Sequence, residues 1–138
     1  MTDIRRPLHV GISVYSMEES LAWYAEVLGF RPVKDDGYVP PLDARICFVE
    51  RDGFQLELFE YRAPKPLPEA SRFPNTDIQT VGTKHLALAV VGLEELKREL
   101  SEKGVEIAHE TRMHGDHVVF IRDCNGILIE LIEQPGLV

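Results

Sequence analysis

The sequence has few of the features that mark secreted, membrane-spanning or nucleic-acid-binding proteins. It contains two cysteines, Cys47 and Cys124, and they lack CxxC spacing. We therefore expect free buried thiols in a reducing cytoplasm rather than a disulfide framework. The longest apolar stretch, residues 86–93, is far shorter than the ~20 residues that cross a bilayer, so no membrane partner is expected. Residues 1–14 show no apolar segment typical of a signal peptide.

Basic residues are also scarce. Lys and Arg number 15 against 23 for Asp and Glu, which gives a formal net charge of −8. A surface of this sign repels phosphate backbones, and no cluster of Lys and Arg offers a local exception, so a nucleic-acid partner is not expected. The 138 residues, 44% of them hydrophobic, are enough for one globular domain, residues 1–138, with its own core.

The chain repeats itself once. Segment 8–14 (LHVGISV) matches segment 84–90 (KHLALAV), with histidine in second place in both. Segment 51–60 (RDGFQLELFE) matches segment 124–133 (CNGILIELIE), with Leu-Glu-Leu facing Ile-Glu-Leu. Two matching blocks in the same order indicate two tandem modules built on one plan.

Each half has the same predicted order of elements. Ser16 and Glu19 form a capping box before an apolar stripe at helical spacing, which ends at Gly29. In the second half a leucine stripe ends at Gly104. Three strands are predicted after each helix, at residues 30–33, 45–50 and 54–61 and at residues 105–109, 117–122 and 127–132.

The predicted fold is α+β, with two βαβββ modules. The modules span residues 8–61 and 84–133, and the proline-containing segment 62–83 links them. The pairs Asp52-Gly53 and Asn125-Gly126 predict tight turns between the last two strands of each module.

Alternation along the strands predicts a shared face for four polar residues. In the last strand Ile127, Ile129 and Leu131 form an apolar face that packs on a helix, so Glu130 faces the other way. The same alternation turns three more polar side chains away from the helices, those of His9, Glu57 and His85. Carboxylates in apolar strands are costly to bury alone. A divalent metal bound by two imidazoles and two carboxylates is the simplest explanation.

These features resemble the vicinal oxygen chelate superfamily, the glyoxalase/bleomycin resistance protein/dioxygenase family. Its members include glyoxalase I, methylmalonyl-CoA epimerase, extradiol dioxygenases and fosfomycin and bleomycin resistance proteins. The segments LHVGISVYSMEESLAWYAEVLGF and FIRDCNGILIELIE carry the resemblance, which covers residues 8–133. It implies an eight-stranded, cup-shaped mixed sheet and a homodimer, with the modules paired within one chain or swapped across the dimer. The family's metal positions fall on the four residues of the shared face.

The set of two His and two Glu is similar to that of glyoxalase I. It implies one divalent ion per site (Ni, Zn, Co, Mn or Fe). It also implies a lyase or isomerase, similar to lactoylglutathione lyase, acting on a small oxygenated substrate through a metal-stabilised enediolate. Glu130 is the first candidate for the catalytic base and Glu57 the second. Further candidates for substrate contact are Arg45, His114, His117 and Phe120.

Three of these candidates depend on predicted strand positions. Arg45 is predicted to share the cavity face with Cys47 and Val49, and Phe120 aligns with Cys47 as an apolar cavity wall. His117 stands at the start of the seventh strand. Two other functions remain open, an extradiol-type dioxygenase with ferrous iron, in which Glu57 is inert, and a metal-free resistance protein that binds a drug or metabolite.

Overall fold

A computed structural model describes residues 2–113 and 115–136. The chain divides into two compact units, Met1–Lys65 and Pro66–Val138. Each unit contains one βαβββ module, which confirms the predicted α+β fold with tandem modules. Among the helices of the described residues, none has the length and apolar character needed to span a membrane.

The first unit is a four-stranded mixed sheet with one long helix. Its elements are β1 (His9–Ser13), α1 (Met17–Leu28), β2 (Arg31–Val39), β3 (Ala44–Arg51) and β4 (Phe54–Tyr61). The strand order is β1-β4-β3-β2, and β1 runs parallel to β4 while the other neighbours are antiparallel. A 3₁₀ turn at Pro40–Leu42 connects β2 with β3.

The second unit repeats this plan. Its elements are α2 (Pro74–Asp77), β5 (Leu86–Val90), α3 (Leu93–Glu102), β6 (Ile107–Met113), β7 (Asp116–Arg122) and β8 (Leu128–Glu133). The strand order is β5-β8-β7-β6, again with one parallel pair, β5 and β8. The predicted linker is therefore partly structured, because it contains α2 and a 3₁₀ turn at Glu69–Arg72.

Helix α1 begins and ends as the sequence predicts. Ser16 Oγ accepts a hydrogen bond from the Glu19 backbone N–H at 3.2 Å, and Gly29 ends the helix with a φ of 72°. The left-handed conformation at that position favours glycine. The helix buries Met17 and Tyr24, so the apolar face of the sheet meets an apolar helix stripe.

The last strand of each module also supplies the N-terminal cap of its helix. The backbone N–H of Met17 donates to Glu60 Oε2 at 2.6 Å. The backbone N–H groups of Gly92 and Leu93 donate to the Glu133 carboxylate at 3.1 and 2.6 Å. A carboxylate here satisfies free N–H groups and the positive end of the helix dipole. These two glutamates are therefore structural.

The β-hairpin that joins β3 to β4 and the β-hairpin that joins β7 to β8 differ in length. Asp52 and Gly53, with φ values of 49° and 82°, form the predicted tight turn. In the second unit the hairpin is longer, and Asp123 Oδ1 accepts hydrogen bonds from the backbone N–H groups of Asn125 and Ile127 at 2.8 and 2.9 Å. The extra residue shifts the alignment of the preceding strands, and this shift affects one predicted site residue.

Replacing Glu133 by Ala should lower the free energy of unfolding by about 1 kcal/mol, because two helix N–H groups lose their acceptor. Denaturant unfolding measures this change. The matched control is Glu102→Ala at the exposed end of α3, which should change stability by less than ~0.5 kcal/mol. Equal effects of the two substitutions would contradict the capping role.

Candidate functional site

The first unit brings His9 and Glu57 together on the sheet face away from α1. In the parallel pairing of β1 with β4, His9 lies opposite Gln55 and Gly11 opposite Glu57. His9 Nε2 and Glu57 Oε1 are 3.2 Å apart, and their side chains are 33% and 20% exposed. The predicted alternation of faces is confirmed for this pair.

Small residues stand beside both glutamates. A Cβ atom at Gly11 would lie 3.0 Å from the Phe59 ring and 3.9 Å from Glu57 Oε1. A larger side chain would therefore clash with the Phe59 ring. In the second unit Ala87 holds the matching place opposite Glu130.

The second unit forms the equivalent pair from His85 and Glu130. His85 directly precedes β5, and its Nε2 lies 3.6 Å from Glu130 Oε1. The side chains are 23% and 13% exposed. His85 Nδ1 is buried and has no hydrogen-bond partner among the described residues.

A phenylalanine lies against each histidine. The rings of His9 and Phe48 have centroids 5.2 Å apart at 80°, and those of His85 and Phe120 have centroids 5.1 Å apart at 89°. Phe48 lies opposite Glu57 in the sheet, and Phe120 opposite Glu130. Phe120 therefore lies on the face of its Glu–His pair.

The counterpart of Phe120 is thus Phe48, and the predicted alignment with Cys47 is wrong by one residue. Sequence analysis missed Phe48 because it applied the residue offset between β4 and β8 to the preceding strands, β3 and β7. The hairpins that join these strands differ in length, so the offset does not hold there. The sequence does contain a signal for the match of Phe48 with Phe120, since the third strand of each module contains a phenylalanine.

Each His–Glu pair fits a divalent transition metal. Imidazole nitrogen and carboxylate oxygen are ligands that zinc, nickel, cobalt, manganese and ferrous iron accept. Two ligands bound at ~2.1 Å to one ion stand roughly 3 to 3.5 Å apart. The nitrogen–oxygen distances of 3.2 and 3.6 Å are close to this separation.

Arg45 and its neighbours do not lie on the face of Glu57. In the register of β3 with β4, Arg45 faces Glu60 and Cys47 faces Leu58, on the helix side. The Arg45 guanidinium pairs with Glu18 of α1 at 3.0 Å and with Asp35 at 3.2 Å. The prediction that Arg45, Cys47 and Val49 share the cavity face is therefore wrong.

The environment of Arg45 shifts the pKa values of two neighbouring groups, Asp35 and Cys47. The backbone N–H of Gly37 contributes most to a lowered pKa of Asp35, and the Arg45 guanidinium acts in the same direction. Burial, followed by the Asp35 carboxylate, raises the pKa of the Cys47 thiol. The raised pKa favours the protonated thiol, which is a poor nucleophile.

His117 also lies on the helix side of its sheet. It shares a face with Val119, which lies opposite Leu131, whereas Phe120 faces Glu130. His117 is buried, with Nε2 2.6 Å from Glu110 Oε2 and Nδ1 3.7 Å from Glu94 Oε1. His117 therefore lies on the face opposite to that of Glu130, and its contact with a substrate stays a prediction. His114 lies outside the described residues.

The cluster around His117 already contains a cation. Donor atoms of Glu94, Glu110 and His117 lie within 4.8 Å of one another. Lys97 Nζ stands 3.3 Å from the carboxylate of Glu94 and 2.8 Å from that of Glu110. The ammonium group of Lys97 thus balances these charges and links α3 to β6.

Comparison with known proteins defines the class of this protein. The sequence profile of the Glyoxalase/Bleomycin resistance protein/Dioxygenase superfamily matches residues 6–131. The chain therefore belongs to this superfamily, and the resemblance of its motifs is confirmed.

Individual relatives are distant in sequence. The chain is similar to the uncharacterized protein YwkD of Bacillus subtilis strain 168, with 27% identity over 128 residues that cover 91% of this chain and 94% of the relative. It is also similar to mitochondrial methylmalonyl-CoA epimerase of Bos taurus, with 27% identity over 132 residues that cover 89% of this chain and 71% of the relative. The fold matches the crystal structure of a glyoxalase family protein from Enterococcus faecalis, with a TM-score of 0.79, 24% identity, and coverage of 94% of this chain and 98% of that one.

The Lys97→Met substitution should raise the pKa of Glu110 toward its ordinary value of 4.5, because the Lys97 ammonium is the largest cause of the lowered pKa. Carbon NMR of the carboxyl group during an acid titration measures this shift. The folded-state pKa lies below the unfolded one, so the Lys97–Glu110 contact stabilises the protein above about pH 4.5. That contribution is lost as the pH falls through the folded-state pKa.

Lys65→Met serves as the matched control, since Lys65 is exposed and lies in the other unit. An unchanged Glu110 titration in Lys97→Met would show that the ion pair is absent in solution.

Proposed function

We propose that this protein is a divalent-metal-dependent lyase or isomerase of the glyoxalase type, which moves a proton on a small oxygenated substrate. The observation that carries the proposal is the His–Glu pair that occurs once in each unit. In both pairs an imidazole Nε2 meets a carboxylate Oε1, at 3.2 and 3.6 Å, on the sheet face away from the helix. Two such pairs supply two nitrogen and two oxygen ligands.

In this proposal His9, Glu57, His85 and Glu130 bind one ion of Ni, Zn, Co, Mn or Fe. The pairs come from one chain or from two chains of a homodimer. When bound, the metal supplies Lewis-acid polarisation of a substrate oxygen, which acidifies the neighbouring C–H bond. The proposed site of action is a reducing cytoplasm, which agrees with the thiols of Cys47 and Cys124, since neither forms a disulfide among the described residues.

Glu130 is the proposed catalytic base. Its carboxylate would take a proton from the substrate carbon and return it to an adjacent carbon or to the other face of the same carbon. Glu130 is the less exposed of the two glutamates and lies opposite Phe120. Glu57 holds the matching position and is the second candidate.

The relatives support this reaction class. One of them is named as a methylmalonyl-CoA epimerase, and the alignment with it covers 89% of this chain. The superfamily description also includes glyoxalases. A small-molecule substrate agrees with both.

The Glu130→Gln substitution should lower proton exchange at the substrate carbon by about 10²-fold or more, because the base is lost while the side-chain shape is kept. Proton NMR in D₂O measures this exchange for the metal-loaded protein with a panel of 2-oxo acids, 2-hydroxy acids, thioesters and hemithioacetals. Glu102→Gln is the control and should leave exchange unchanged. If Glu130→Gln exchanges at the wild-type rate, Glu130 is not the base.

The Glu57→Gln substitution distinguishes the proposed glyoxalase-type function from that of an oxygenase. The glyoxalase-type activity should fall steeply because one of the four charged or imidazole ligands becomes neutral. Retained oxygen uptake with catechols and ferrous iron in Glu57→Gln would instead support the dioxygenase. Unchanged binding of a metabolite in Glu130→Ala, without metal, would support the binding protein.

A further inference from the structure

We propose that Phe48 and Phe120 are positioning residues that orient the imidazoles of His9 and His85 toward their carboxylate partners. The inference rests on the proposed function, because ring orientation matters here for metal binding. It assigns a role to Phe48, and it changes the role of Phe120 from cavity wall to support of a metal ligand.

The same edge-to-face contact occurs in both units. The centroid distances are 5.2 and 5.1 Å and the interplanar angles 80° and 89°. Perpendicular rings at this distance are a preferred aromatic geometry, since the edge of one ring meets the electron-rich face of the other. Each imidazole thus touches a carboxylate from one strand and a phenyl ring from the next strand. Two contacts from different directions fix both the position and the plane of the imidazole.

The hydrogen bond that usually orients a metal-binding histidine is missing at His85. Such a histidine normally donates its second ring N–H to a carboxylate or a carbonyl, which fixes the ring. His85 Nδ1 is buried and has no hydrogen-bond partner within the described part of the chain. The Phe120 ring is therefore the aromatic contact that holds the imidazole plane with Nε2 toward Glu130.

Each phenylalanine also contacts a side chain of an edge strand. Lys34 of β2 lies opposite Phe48, with Nζ 5.5 Å from the ring centroid. His109 of β6 lies opposite Phe120, with ring centroids 6.4 Å apart. Contact of the Lys34 ammonium with the aromatic face of Phe48 is attractive. Each phenyl ring thus contacts its histidine and a second side chain, which limits its freedom to turn away from the histidine.

Phe48→Leu and Phe120→Leu test the proposal, because leucine keeps an apolar side chain and removes the ring. Titration calorimetry with CoCl₂ on the metal-free protein should show roughly 10-fold weaker binding for each variant, the usual effect of losing support behind a ligand. Phe48→Tyr keeps the ring and should bind Co²⁺ as tightly as the wild type. Phe54→Leu is the control, since Phe54 is half exposed and contacts Phe30 rather than a histidine.

A metal-free readout makes the result independent of the proposed function. Loss of the phenyl ring should shift the imidazole proton resonances of the neighbouring histidine, because the ring current disappears and the imidazole plane is released. Thermal unfolding identifies any variant that does not fold, and Phe120→Met then replaces Phe120→Leu.

The outcomes are distinct. Wild-type protein that binds no Co²⁺ contradicts the proposed function. Wild-type binding with equal affinity in both leucine variants overturns the positioning role and leaves the proposed function standing. Imidazole resonances that do not change in the leucine variants also overturn the positioning role.

Discussion

The contact between a strand histidine and the glutamate of the neighbouring parallel strand is the constraint on which the rest of each unit depends. It needs a first strand parallel to the last, a small residue opposite the glutamate, and an aromatic ring on the third strand. Gly11 and Ala87 meet the second requirement. Without a partner, a carboxylate this little exposed would be destabilising. The repeat of the contact in both units makes a chance pairing an inadequate explanation.

The last strand of each module connects this contact to the helix. Glu57 and Glu60 are three residues apart, so they point to opposite faces of β4. Glu57 meets His9, whereas Glu60 accepts the first N–H of α1. Glu130 and Glu133 divide the same two tasks in β8. A single strand thus fixes the position of the helix and the position of the candidate metal ligand.

Most of this arrangement could be predicted from the sequence. Apolar alternation predicted the correct faces for His9 and Glu57, because Leu56 and Leu58 of β4 are buried on the opposite face. The same reasoning failed for Arg45, Cys47 and Val49, because the face of β3 that meets Glu57 is set by its register with β4. The alignment of Phe120 with Cys47 failed because the two hairpins differ in length. The contact of Phe48 with His9 crosses two strand boundaries, so alternation within one strand does not predict it.

The most direct test of the central claim is the metal content of the protein purified without a metal-chelating tag, measured by elemental mass spectrometry. The account predicts about one divalent ion per chain in the wild type, and its loss in both His9→Ala and His85→Ala. Loss in both variants would show that the two pairs bind the same ion. A wild-type protein that contains no metal and takes up none on titration would contradict the account.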